Sequence, residues 1–377
     1  MPRARFYGAV AVAAVVFYYA GTSEVAWLYL LAYWIAALIV ASFLYQLWNR
    51  GFRGEIFVRG YKFAAGSPME DLPEVVLNAR PLRRAFEGDS ILLDLRLVSS
   101  RGTRGPARMT GSVAGVELAI AAGLVSKRGW TEQKVVGPVR RGPVSQTGWR
   151  LYAGDLLGLY SDDLGNRTEG ESELVLVLPR FASLGSRHRV RELEASAAAS
   201  RAGTGTELFG VREYRPGDPL RRIHWRSSAR HGELIVREYE PPGIQSLGIF
   251  CDPAPPTPEA ADQIARLAAS EAWDCLRHGG RAVLWSPGAE PSTYDESRSI
   301  WALLEWLARY PAPVEELDLP PPRVSDAVAV VARYDAPVID ALEGVKQRGG
   351  DIRAWVVGDA VFDVDAPVQN VGLGWPL

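Results

Sequence analysis

Cysteine is nearly absent: the 377 residues hold two, Cys251 and Cys275, both in apolar surroundings. That excludes a disulfide framework and a four-cysteine zinc site, and predicts two small core residues with free thiols. A surplus of positive charge is also missing. Lys and Arg total 42 against 44 Asp and Glu, a net charge of −2, which argues against a dedicated nucleic-acid binder. No Gly-x-x-x-x-Gly-Lys-Ser/Thr loop occurs, so nucleotide hydrolysis by that route is excluded. With 47% hydrophobic and 23% charged residues, the chain has the composition of folded protein rather than of disorder.

Charge is absent again from two stretches near the N-terminus, residues 6–20 and 25–48, separated by Gly21-Thr22-Ser23-Glu24. The second is long enough to cross a hydrocarbon core of about 30 Å as a helix, and Gly21 and Thr22 extend the first. A cleaved signal peptide is the alternative for residues 1–20; a second full-length apolar run so soon afterwards disfavours it. Arg3 and Arg5 precede the first run, Arg50, Arg53 and Arg59 follow the second, and only Glu24 lies between. The positive-inside bias then places both ends on the cytoplasmic side, with Tyr18, Tyr19, Trp27, Tyr45 and Trp48 at the two interfaces. Residues 1–54 are therefore expected to be a transmembrane hairpin that contacts lipid, with the bulk of the chain in the cytoplasm.

From 55 to 182 the pattern becomes short strands broken by glycine turns. Ile91, Leu93, Leu95 and Leu97 alternate on one face of a half-buried strand. Residues 113–119, 135–139, 148–152 and 174–178 are further strand candidates, and the absence of a long helical period predicts a small antiparallel β-sandwich. No catalytic arrangement is visible in it.

Residues 183–377 hold an α/β pattern. Strands are expected at 246–251, 282–285, 327–331 and 352–357. Helices are expected at 260–278, where Ile264, Leu267, Ala268, Cys275 and Leu276 share a face, around Ile300, Leu303, Leu304 and Leu307, and at 338–346. This is the Rossmann-type arrangement of a mostly parallel sheet with crossover helices.

Within residues 183–377, ahead of the first of these strands, lies the densest cluster of charge, aromatics and glycine, residues 203–240. Arg215-Pro216-Gly217-Asp218-Pro219 is a turn, and 233–240 reads as a strand. Gly210, Arg212, Tyr214, Gly217, Asp218, Arg221 (or Arg222), Ile223, Trp225, Ser228, Ala229 and Arg230 fall in a fixed pattern that resembles the signature of the prokaryotic "domain of unknown function 58" family. Gly154-Asp155-Leu156-Leu157-Gly158-Leu159-Tyr160 resembles a second element of that family, with Leu156 in place of a proline.

The resemblance implies that the C-terminal domain is von Willebrand factor A-like. Such domains bind a divalent metal at the end of the first strand through Asp-x-Ser-x-Ser, whose carboxylate and hydroxyls are hard oxygen ligands. This chain reads Asp252-Pro253-Ala254-Pro255-Pro256, so Asp252 is a degenerate metal candidate and no cofactor is expected. Asp252 reads instead as a carboxylate fixing the turn, and Asp335 is an isolated second acid. The resemblance further implies a MoxR-type AAA+ ATPase partner and thus a non-enzymatic, membrane-anchored adaptor or assembly factor at the cytoplasmic membrane of a prokaryote. Arg212, Tyr214, Asp218, Arg221, Trp225 and Arg230 would form or shape the docking surface.

Two other readings compete. Arg212, Arg215, Arg221, Arg222, Arg226 and Arg230 suit a phosphorylated ligand, since guanidinium forks bind phosphate bidentately. The interleaved Glu207, Glu213, Asp218, Glu233 and Glu238 suit internal ion pairs that lock the segment onto its domain, and the other competing reading is a purely structural envelope scaffold with no ATPase partner. His224 and His231 have no third ligand nearby, and Ser227 and Ser228 beside His224 do not define a triad.

Overall fold

The computed structural model describes residues 4–70, 72–78, 80–81, 83–169, 172–184, 208–213, 228, 234–239, 246–288, 292–294, 300–311, 320–358 and 366–375. They divide into two compact units, Met1–Glu70 with Pro81–Leu178, and Asp71–Arg80 with Pro179–Leu377.

The first unit begins with α1 (Ala4–Ser23) and α2 (Ala26–Trp48). The chain reverses at Glu24, whose φ is 54°, and the helices pack along each other, with the Phe17 ring 5.5 Å from Tyr29 and 6.3 Å from Tyr33. Both are long and apolar enough to cross a membrane, and only 6% and 17% of their most apolar windows is buried within the protein. A core helix of a soluble domain would be mostly covered; these leave their apolar surface open.

Ten strands follow: β1 (Phe52–Lys62), β2 (Arg84–Phe86), β3 (Ser90–Ser99), β4 (Ala107–Val113), β5 (Val116–Ala122), β6 (Trp130–Val136), β7 (Gly142–Gly154), β8 (Ser161–Asp163), β9 (Thr168–Glu169) and β10 (Glu173–Leu178). One sheet has the order β6-β3-β1-β9, the other β2-β10-β7-β4-β5 with β8 beside β7. Inward residues of both sheets form one core, in which Ile91, Leu93, Leu95 and Leu97 of β3 lie with Met109 and Leu151 and are fully buried. The expected antiparallel sandwich thus holds for most pairs, but β9 joins β1, and β2 joins β10, in parallel.

Two readings of this region are corrected. Residues 113–119 are not one strand. Val113 and Val116 pair across Ala114-Gly115, whose φ values of 51° and 78° make a two-residue hairpin turn, the left-handed backbone that matches strand twist. The predicted strand at 135–139 is the end of β6, which stops at Val136 before Gly137-Pro138.

The second unit contains α3 (Glu74–Asn78), the ribbon β11 (Leu208–Glu213) and β12 (Ile235–Tyr239), and a sheet of β13 (Ser246–Cys251), β14 (Arg281–Trp285), β15 (Ser292–Tyr294), β16 (Asp326–Val331), β17 (Ile352–Val357) and β18 (Val368–Val371). The sheet order is β15-β14-β13-β16-β17-β18; β15 alone runs antiparallel. Crossovers run through α4 (Pro258–Arg277), α5 (Ile300–Ala308) and α6 (Ala336–Gln347).

Helix α4 starts where Thr257 Oγ1 accepts the Ala260 N–H at 3.1 Å, the expected cap. Its polar face is buried too, because polar partners cover it. Glu271 Oε1 accepts from Trp355 Nε1 at 2.7 Å and Oε2 pairs with Arg353. Asp274 accepts from Ser183 Oγ at 2.8 Å and Leu184 N at 2.7 Å. Trp301 Nε1 on α5 donates to Val76 O at 2.8 Å, which ties α3 to this unit.

Candidate functional site

Three places in the chain concentrate polar chemistry. The first is the ribbon that carries the start of the signature. Gly210 lies opposite Glu238 and Arg212 opposite Val236, with a register irregularity between Leu208 and Gly210. The strand expected at 233–240 is β12. Ser228 is buried. Tyr214, Gly217, Asp218, Arg221, Arg222, Trp225 and Arg230 lie outside the described residues, as do Ser227, His224 and His231. The ribbon therefore brings Gly210 and Arg212 beside β12, and the remaining signature positions fall between Glu213 and Ile235, which are themselves paired.

The second place is the C-terminal edge of the parallel sheet. From β13 the chain passes to β14 on one side and later to β16 on the other, so the crevice outside β13 and β16 is a topological switch point, where open α/β sheets place their ligands. Asp252 stands there, fully buried. Oδ1 accepts the Ala254 N–H at 2.9 Å and approaches Arg333 Nε at 3.4 Å, while Oδ2 accepts the Ala332 N–H at 3.2 Å. Its backbone N–H donates to Val330 O at 3.1 Å, and its carbonyl accepts from Tyr310 OH. The carboxylate thus pins the loop after β13 to the loop after β16, as the turn-fixing reading expects.

Asp335 is the N-cap of α6, accepting from Val338 N at 3.2 Å. Burial pushes its carboxyl above the usual range; the Val338 N–H and Arg333 pull the other way, and the Asp252 charge adds to the rise. Among the described residues no group of three or more His, Cys, Asp or Glu side chains is arranged to hold a metal ion.

The third place was not anticipated. Ser42 and Gln46 on the last turns of α2, and Asn49 at its C-cap, recur at helical spacing, and all three are buried. Ser42 Oγ donates to Asp155 Oδ2, Gln46 Nε2 to Ala153 O at 2.9 Å, and Asn49 Nδ2 to Gly154 O at 2.6 Å. Tyr45 OH donates to Gly105 O at 2.6 Å. Arg104 closes the set: it donates to Trp48 O and lies 3.7 Å from the centroid of the Trp48 ring. The Tyr160 ring packs 5.1 Å from Phe6 and 5.6 Å from Phe43.

Asp155 organises this joint. It is 1% exposed, and beyond Ser42 it accepts from Tyr160 N at 2.7 Å and Leu157 N at 3.1 Å. Burial pushes its carboxyl up, but the Ser42 hydroxyl and the N–H groups of Tyr160, Leu159 and Leu157 outweigh that and hold it below the usual range. The sequence signal for the joint was the polar stripe within an otherwise apolar helix.

Comparison with known proteins gives a family match that covers most of the ribbon and the first strands of the sheet. Residues 210–291 match the family "Protein of unknown function DUF58". A protein of Bacillus subtilis (strain 168), "Uncharacterized protein YeaD", is 25% identical over 169 residues, 45% of this chain and 42% of that one. The chain thus spans less than half the length of that relative. Among solved structures, a Paenibacillus sp. cycloisomaltooligosaccharide glucanotransferase aligns at 8% identity and a TM-score of 0.14, over 73% of this chain and 44% of that one. A score that low carries no argument. The DUF58 match places Asp252, β13, α4 and β14 inside the family segment, whereas the helix joint lies upstream of it.

Proposed function

We propose that the chain is a membrane-anchored, non-enzymatic adaptor or assembly factor whose body lies in the cytoplasm and works with a MoxR-type AAA+ ATPase. One observation carries the anchoring part of this reading: two apolar N-terminal helices with open surfaces, the second fixed to a folded β-sandwich through Ser42, Gln46 and Asn49; the adaptor role and the ATPase partner rest on the family resemblance. A leader destined for removal has no need of buried polar bonds to the mature domain. An anchor that must hold a body in a fixed pose does.

The C-terminal unit would then dock the partner. Its strand order, with Asp252 at the switch point, supports a von Willebrand factor A-like reading. The engagement of the Asp252 carboxylate by Ala254, Ala332 and Arg333 supports docking without a bridging metal. The signature residues Arg212, Tyr214, Asp218, Arg221, Trp225 and Arg230 would shape the docking face.

The test is purification of the intact protein from native membranes in mild detergent, with wild type beside Arg212→Ala and Trp225→Ala. An AAA+ ATPase that accompanies wild type and is lost from folded variants supports the adaptor reading. If none accompanies wild type even after cross-linking, the reading fails, and a screen for phosphate-bearing ligands replaces it.

A further inference from the structure

Five arginines from three separate stretches line one cleft of about 790 Å³ in the first unit. Arg50 and Arg53 follow α2, Arg101 and Arg104 lie between β3 and β4, and Arg167 precedes β9. Only the first two belong to the sequence that flanks the apolar helix; folding of the sandwich brings the others to them. Glu169 is the one carboxylate on the described lining, and Arg53 engages it at 2.9 Å. Arg50 pairs with Asp162 at 2.8 Å, and Arg167 donates to Arg50 O at 3.0 Å.

The remaining positive charge lacks an acidic partner. Arg101 is exposed and makes no ion pair among the described residues. Arg104 is 5% exposed, its guanidinium lies over Trp48, and its buried Nε has no hydrogen-bond partner. Leu47 and Trp48 also line the cleft and are exposed at the end of α2. Cationic forks and an apolar, aromatic wall thus meet where the helix leaves its apolar stretch. That combination suits a ligand with a phosphate at one end and hydrocarbon at the other.

We infer that this cleft binds the headgroup of an anionic phospholipid, with the arginines on its phosphate and Leu47 and Trp48 against its glycerol and upper acyl region. The inference rests on the anchoring reading above and adds to it a defined lipid site. A free phosphate compound shares the charge but makes no use of the apolar wall, so the two sources separate by experiment.

The full-length protein in detergent is titrated with phosphatidylglycerol, phosphatidylcholine or soluble glycerophosphate, and thermal stability and bound lipid are read, the latter by native mass spectrometry. Phosphatidylglycerol is expected to stabilise and to remain bound, and phosphatidylcholine and glycerophosphate to do neither. Arg53→Gln with Arg101→Gln, both exposed positions, should weaken phosphatidylglycerol binding by roughly fivefold per arginine. Arg150→Gln, which removes an exposed arginine outside the cleft, should leave it unchanged. Equal binding of phosphatidylcholine, equal loss in Arg150→Gln, or saturation by glycerophosphate alone would overturn the inference. Carbonate washing of native membranes reports on anchoring separately: release of the protein refutes the anchor, whereas retention without anionic preference refutes this site alone.

Discussion

Asp155→Ala is the most informative single change in the first unit. Hydrogen bonds from Ser42 Oγ, Leu157 N and Tyr160 N end on this buried carboxylate. After truncation, the Ser42 hydroxyl can turn back to a carbonyl of its own helix, and the part-buried Leu157 N–H can reach water. The Tyr160 N–H is buried and loses its acceptor, which costs about 1–3 kcal/mol. Adding about 1 kcal/mol for the net value of a hydrogen bond, the loss should total about 2–4 kcal/mol. Hydrogen exchange of the full-length protein in detergent should show it locally, as protection at Tyr160 reduced roughly 30- to 1000-fold.

The same residue sets a pH dependence. A carboxyl whose folded pKa lies below its unfolded value, about 3.9, contributes stability that is present above that value and is lost as pH falls through the folded pKa. Since Asp155 is held low, protection at Tyr160 should decline at acidic pH below the unfolded pKa in wild type, and this component should be missing in Asp155→Ala. A loss under about 1 kcal/mol, or an unchanged acid profile in the variant, would refute the account of the joint.

Other substitutions have defined outcomes. Glu271→Ala removes the acidic partner of Arg353 and an acceptor of Trp355 Nε1 in the second unit, and should lower stability in a denaturation curve by about 3–5 kcal/mol; Glu271→Gln, which keeps an acceptor for Trp355, should cost less. Asp335 has a raised pKa, so its contribution is present below the unfolded value and lost as pH rises through the folded one. Asp335→Asn should then hold or raise the melting temperature at neutral pH, while Asp335→Ala loses the cap and about 1 kcal/mol; equal losses would contradict this. A Cβ at Gly105 would stand 1.9 Å from Gly123 O, so Gly105→Ala should destabilise the sandwich by about 1–3 kcal/mol, measurable by thermal melting.

Periodicity made much of the architecture legible. The alternation in β3, the stripe on α5 and the capped start of α4 each follow from one residue pattern, and each element appears with its expected buried face. The hairpin at Ala114-Gly115 was hidden because alanine rarely takes a positive φ, so nothing local marked the turn. Strands β9, β15 and β18 are short and at sheet edges, where they carry too few alternating residues to register. Asp252 was read from its position, but its partners Ala332 and Arg333 come from a distant strand end. The helix joint shows the same limit. Ser42, Gln46 and Asn49 share a helix face by spacing alone, yet that they meet Ala153, Gly154 and Asp155 depends on how the sandwich closes. Long-range partners of this kind are set by topology.

The most direct test of the anchored account is the topology of the hairpin in intact cells, by labelling introduced cysteines with a membrane-impermeant maleimide. Native Cys251 and Cys275 are buried, which keeps the background low. Glu24→Cys, between α1 and α2, should label from outside, while Asn166→Cys, exposed on the sandwich, should label only after permeabilisation. Labelling of both from outside, or of neither until the cells are opened, would contradict a hairpin that crosses the membrane and holds the body in the cytoplasm.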